Sequence, residues 1–192
     1  MKQSALLLIL LAAGWNASYS QTSNPQAPAQ TPPAATATPA PPPAARPADV
    51  DSIEHLIGAI YDVISGPAAA PRDWDRFRSL FYPGARLIPS RRDDKGAISA
   101  RVLSPDEYAA RGKDAFARDG FHENSIANRI ERFDHMAHVW SSYESRHAKG
   151  EKPFARGINS FQLMYDGSRW WILSVYWEPE DAAHALPDQY VK

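Results

Sequence analysis

No cysteine occurs anywhere in the chain. Disulfide bracing and thiol catalysis are therefore excluded, and so is the lipid-bearing cysteine that follows the leader of a bacterial lipoprotein. Whatever folds here is held by core burial. Long apolar runs are equally scarce, and the one that stands out, Ala5 to Ala13, falls far short of the roughly 20 residues a membrane-spanning helix needs. An excess of one charge is also missing: 21 Lys plus Arg stand against 22 Asp plus Glu, for a net charge of −1. The charges are interspersed, with no basic stripe to neutralise phosphates, so nucleic acid is not an expected partner. Glycine is sparse, at 10 residues, and forms neither a phosphate-cradling loop nor a nucleophile elbow, which leaves nucleotide-binding and serine-hydrolase readings unsupported.

What is present divides the chain in three. Lys2, the apolar run and the small residues around Tyr19 in Ser18-Tyr19-Ser20 read as a signal peptide over residues 1–20, cleaved near Ser20. The expected location is periplasmic or secreted, with no membrane attachment after cleavage. Residues 21–48 are Pro, Ala, Thr and Gln with almost no charge or large apolar side chain, a composition that cannot offset its ordering entropy and reads as a disordered linker. Residues 49–192 have the size of one domain.

Within that domain, Ile53, Leu56, Ile57, Ile60, Tyr61 and Ile64 share one helical stripe, with Asp51 and Glu54 as a capping box and Ser65-Gly66-Pro67 as the stop. A second, short helix carries Trp74, Phe77 and Phe81. Residues 85–92 and 97–103 suit a hairpin around Asp93-Asp94-Lys95-Gly96. A third helix opens on Ser104, Pro105 and Glu107 and ends at Asp119-Gly120. Long strands follow over 121–133, 136–148 and 154–178. The last contains an Asp166-Gly167 turn and three of the six tryptophans, Trp170, Trp171 and Trp177. Helices segregated from a mainly antiparallel sheet give an α+β fold.

Three segments carry a family resemblance. They are Leu80-Phe81-Tyr82-Pro83-Gly84-Ala85-Arg86-Leu87-Ile88-Pro89, then Met136-Ala137-His138-Val139-Trp140-Ser141-Ser142-Tyr143-Glu144, and Arg156-Gly157-Ile158-Asn159-Ser160 through Asp166-Gly167 to Trp171. The chain from about Val50 to Glu180 resembles the nuclear transport factor 2-like (NTF2-like) superfamily, and within it the bacterial SnoaL-like domains. The resemblance implies three N-terminal helices packed in a strongly curved sheet, a cone with a pocket at its open end. Members include isomerases, dehydratases, cyclases and binding modules, so it implies architecture far more than function.

Strand alternation groups the candidate site residues. With Asp166-Gly167-Ser168 as a three-residue loop, Asn159, Phe161, Leu163, Trp171, Leu173, Val175 and Trp177 share one face. Resemblance to the closing strand of ketosteroid isomerases puts Trp177, Val175 and Leu173 inside. The opposite face, with Trp170, Ile172 and Tyr176, would then be an apolar patch suited to a sheet-to-sheet homodimer. Carried into the preceding strand, the register sets Ser142 beside Asn159, Trp140 beside Phe161 and His138 beside Leu163.

If Asp134-His135 is a two-residue turn, Glu131 lies opposite His138, the one His and carboxylate pair the register builds, and a candidate catalytic dyad. Arg86 and Arg156 are candidates for a ligand carboxylate, with an ion pair between Arg156 and Glu144 as the alternative. The same side chains could equally be core or surface residues with satisfied hydrogen bonds. His135 and His138 fall on opposite faces of extended chain, as do His122 and Glu123, so no metal site is expected. Ketosteroid isomerases keep their aspartate base in the strand that here reads Arg86-Leu87-Ile88-Pro89-Ser90, without a carboxylate.

The leading expectation is an exported domain binding a small, largely apolar molecule in its cone, with no cofactor. The alternatives are a cofactor-independent lyase or isomerase with His-centred proton transfer, and a dimerising interaction module.

Overall fold

The computed structural model describes residues 41–191. The expected signal peptide and most of the expected linker lie outside the described residues.

A short helix, α1 (Pro47–Val50), leads into α2 (Ile53–Ile64), whose six-residue apolar stripe is buried from end to end. The α2 cap differs from expectation. Ser52 accepts from the His55 backbone N–H at 3.1 Å, while Asp51 is drawn to the His55 imidazole instead. Helix α3 (Trp74–Ser79) is capped by Asp73, and Phe81 opens a strand rather than closing this helix. Arg76 of α3 grips Asp49 of α1 through two hydrogen bonds of 2.7 and 2.8 Å and reaches Asp62 of α2, tying the three helices together. Helix α4 (Pro105–Asp119) carries the full Ser104–Glu107 capping box. Four α-helices are thus described, one more than expected.

The strands are β1 (Phe81–Arg92), β2 (Ile98–Ala100), β3 (His122–Phe133), β4 (Met136–Arg146), β5 (Ala155–Tyr165) and β6 (Trp170–Pro179). They form one sheet in the order β2-β1-β6-β5-β4-β3. It is mixed, because β1 runs parallel to β6 while the other pairs are antiparallel. Helix α2 lays its stripe on the sheet's inner face, against Val139, Phe161, Ile172 and Val175.

Two registers depart from the sequence reading. Tyr165 pairs with Trp170, so the β5–β6 turn has four residues, with Asp166 accepting the backbone N–H groups of Ser168 and Arg169. Further along, Gln162 pairs with Ser174 but Leu163 with Ile172, leaving Leu173 as a bulge. Near the turn the faces are therefore inverted. Trp170 and Ile172 are core, at 3% and 0% exposure, while Trp171 and Leu173 point outward. Beyond the bulge, Val175 and Trp177 share the face of Phe161 and Asn159. Of the apolar patch on which a sheet dimer was argued, Trp170 and Ile172 move into the core and Tyr176 stays outside, joined by Trp171 and Leu173.

Strand β4 is one residue out of the expected register: Ser141 opposes Asn159, Val139 opposes Phe161 and Ala137 opposes Leu163. This alignment gives the core Ala137 and Val139 and keeps His138, Trp140 and Ser142 on the other face. A one-residue slip would reverse the assignment and bury an imidazole among apolar side chains.

Candidate functional site

Between the sheet's inner face, α2 and α4 lies a cavity of about 530 Å³. Ile60, Phe77, Leu87, Phe116, Phe161 and Val175 make most of its wall apolar, and Trp177 packs edge-on against Tyr108 in that wall. Eight polar side chains interrupt that wall: Tyr61 of α2, Ser90 of β1, Tyr108 and Arg111 of α4, Glu123 of β3, Tyr143 and Ser145 of β4, and Asn159 of β5.

Glu123 is fixed by the end of α2. Ser65, the residue that stops the helix, accepts from the Glu123 backbone N–H at 3.0 Å, and Gly66 pairs with Phe121 through two backbone hydrogen bonds. Its carboxylate accepts from Ser145 Oγ at 2.7 Å and from Asn159 Nδ2 at 3.5 Å. Asn159 Nδ2 also donates to Tyr61 Oη at 3.0 Å, and that hydroxyl lies 2.6 Å from Ser141 Oγ. Burial pushes the Glu123 carboxyl up from 4.5 to about 7, against the opposing pull of Ser145 and Asn159.

The phenols of Tyr61, Tyr108 and Tyr143 are raised as well, by burial first and then by the Glu123 charge, so all three are protonated donors at neutral pH. The Tyr108 and Tyr143 hydroxyls make no hydrogen bond to the described protein. A carboxyl group near neutrality can take or give a proton, and free phenolic donors beside it can stabilise an oxyanion.

The expected site residues are divided between two faces. Asn159, Phe161, Val175 and Trp177 line the cavity. His138, Trp140 and Ser142 lie on the sheet's outer face, where His138 Nε2 is 3.0 Å from Ser160 Oγ and Trp140 packs against Tyr190. Glu131 does pair with His138 in the ladder, but it is exposed and sits 3.3 Å from Arg129, with no hydrogen bond to the imidazole. Trp171 donates through Nε1 to Asp166 Oδ2 and stacks under Arg169 on the outside. Arg86 donates to the carbonyls of Gly84 and Ala85, and Arg156 pairs with Glu180 at 3.3 Å, while Glu144 takes Arg146 at 2.6 Å. Among the described residues, no three His, Cys, Asp or Glu side chains converge as metal ligands.

Sequence reasoning missed Glu123, Tyr108 and Tyr143 as site residues. The signal for Glu123 was alternation across β3 and β4: it opposes Ser145 on the face that also carries Tyr143.

No family model matches the chain, and no curated protein is similar to it in sequence. Solved structures are. A protein of unknown function with a cystatin-like fold from Nostoc punctiforme aligns with a TM-score of 0.52 at 14% identity, over 68% of this chain and 90% of that one. The Kfla4162 protein from Kribbella flavida aligns with a TM-score of 0.50 at 14% identity, over 70% and 93%. An NTF-2 like protein of unknown function from Silicibacter pomeroyi gives 0.47 at 14%, over 68% and 94%. At such identities what the first two share with this chain is the fold alone: an α+β chain with helices packed on a six-stranded mixed sheet, similar to a protein described as having a cystatin-like fold.

Proposed function

We propose that this chain is an NTF2-like protein of the SnoaL-like kind that binds a small, largely apolar molecule in its cone and moves a proton on it with Glu123, without a cofactor. The observation that carries this reading is one carboxyl group, buried to a pKa of about 7, in the wall of a mainly apolar cavity. As a carboxylate, Glu123 would take a proton next to a ligand carbonyl while a phenol donates to the resulting enolate oxygen. Return of the proton to another carbon is isomerisation, and loss of a leaving group is a lyase reaction. Acid–base work thus centres on Glu123, because His138 and Glu131 lie outside the cavity. Export is part of the proposal, supported by Lys2, the apolar run and Ser18-Tyr19-Ser20.

The test is α-hydrogen exchange of 2-tetralone, a flat aromatic ketone, in deuterated buffer. Wild type should accelerate exchange, and Glu123→Gln should lose on the order of a hundredfold or more of that acceleration while still quenching Trp177 fluorescence on binding. Binding without exchange by either protein would leave a receptor. A cavity that takes no apolar probe, in a protein that runs as a dimer, would favour an interaction module.

A further inference from the structure

At the sheet edge opposite Glu123, the cavity opens beside a second recess of about 460 Å³. The two share Pro89, Ser90, Leu103 and Arg111, so they adjoin. The additional lining of the recess includes Arg91 and Arg101. Its orientation follows from the ladder. Leu87 bridges Leu103, Pro89 accepts from the Arg101 N–H at 3.0 Å and Arg91 pairs with Ser99. Alternation from the cavity-lining Leu87 and Pro89 therefore carries Arg91 and Arg101 onto the same inner face. Arg111 comes from α4 on the other side of the opening.

None of the three arginines is held in a salt bridge among the described residues. The carboxylate that acts on Arg111, Glu107, is committed to the α4 cap, accepting from the Ser104 N–H at 2.7 Å. Most other arginines of the fold are paired: Arg76 with Asp49, Arg78 with Asp106, Arg92 with Asp181, Arg118 with Asp119. Three guanidinium groups outside any salt bridge around one opening make a site for an anion, since the planar fork matches a carboxylate, sulfonate or phosphate.

We infer that the ligand is an amphipathic acid, with its apolar body in the cone, its anionic group held at the mouth by Arg101, Arg111 and Arg91, and its reacting carbon toward Glu123. This rests on the cavity-binding reading above and narrows its ligand class. β1 and β3 lie four strand spacings apart in the sheet, at about 4.8 Å each. The anion and the reacting carbon must therefore be separated by a rigid ring system or a chain of several carbons.

The probes are 1-pyrenebutyric acid and its methyl ester, which share an apolar body and differ in the charge. Binding to the full mature protein is followed by pyrene fluorescence at low and at physiological salt. Wild type should bind the acid at least tenfold tighter than the ester, with a preference that shrinks as salt rises. Arg101→Gln/Arg111→Gln should bring the two within about twofold, and Arg118→Gln, which lines neither recess, should keep the preference. Equal binding of acid and ester by wild type, or a preference surviving in the double variant, overturns the anion site and leaves apolar binding standing. If neither probe binds, the cavity-binding reading falls and takes this inference with it. Flotation with phosphatidylglycerol vesicles that depends on the same arginines, with no acid preference in solution, would assign them to a membrane surface and also overturn it.

Discussion

Asn159 Nδ2 reaches Tyr61 Oη at 3.0 Å across 98 residues of sequence, joining the middle of the sheet to α2 at the wall of the cavity. The Tyr61 hydroxyl also meets Ser141 Oγ, which is fully buried. Tyr61→Phe keeps the ring and its edge contact with Phe161 but leaves Ser141 and Asn159 short of a partner. The expected cost is about 1–3 kcal/mol, read as a lower urea midpoint at unchanged slope. A change below about 0.5 kcal/mol would mean that water replaces the hydroxyl.

Glu123 gives the stability of this protein a pH dependence of definite sign. Its folded pKa is about 7 against an ordinary value of 4.5, so between those values the native state holds a proton that the unfolded chain has released. Stability from this group is fully present below pH 4.5 and is lost as pH rises through 7, a loss on the order of 3 kcal/mol. Glu123→Gln has no proton to lose. The stability difference between variant and wild type should therefore grow in favour of the variant from pH 4.5 to pH 8, as measured by denaturant titration at both ends. Slopes from other groups are common to both proteins and cancel. A difference that does not change with pH would place the carboxyl in water.

Two glycines should respond in opposite directions to the same substitution. A Cβ on Gly157 would sit 2.3 Å from the Glu178 carbonyl oxygen and 2.7 Å from both Pro179 Cα and Tyr143 Oη. Two of these neighbours are backbone, so Gly157→Ala must push β5 from β6 and move a cavity phenol. More than about 2 kcal/mol should be lost. Gly58 lies in α2 with nothing within 4 Å of its added Cβ, and Gly58→Ala should gain about 0.5–1 kcal/mol by restricting the unfolded chain. Thermal unfolding of both variants checks the pair.

The α2 stripe, the α4 capping box and the Asp134-His135 turn are local signals and appear where the sequence puts them. The parallel pairing of β1 with β6 brings together residues about 90 apart, and no local pattern encodes it. The bulge at Leu173 is a single extra residue, yet it decides whether Trp170 or Trp171 enters the core. Glu123 reads as an ordinary strand carboxylate, because what shifts it is burial at the end of α2, a property of the assembled fold. Candidates chosen by alternation along β6 beyond the bulge reach the cavity, whereas those that depended on the β4 register do not.

That difference can be measured with His138→Ala and Trp177→Ala. Trp177 faces Tyr108 inside the cavity, and removing its indole takes away a flat apolar surface against which a ring system would stack. Affinity for pyrenebutyrate ester should fall by tenfold or more. His138 stands on the far side of the sheet, bonded to Ser160 and edge-on to Trp140, with β4 between it and the cavity. Its removal should leave ester affinity and ketone exchange within about twofold of wild type, with loss of the Ser160 hydrogen bond costing at most about 1 kcal/mol of stability. Loss of exchange in His138→Ala with binding intact would reverse the assignment. It would require the imidazole to act from the outer recess formed by Arg129, Glu131, Trp140 and Tyr190, and the acid–base centre would then lie on the opposite face of the sheet from Glu123.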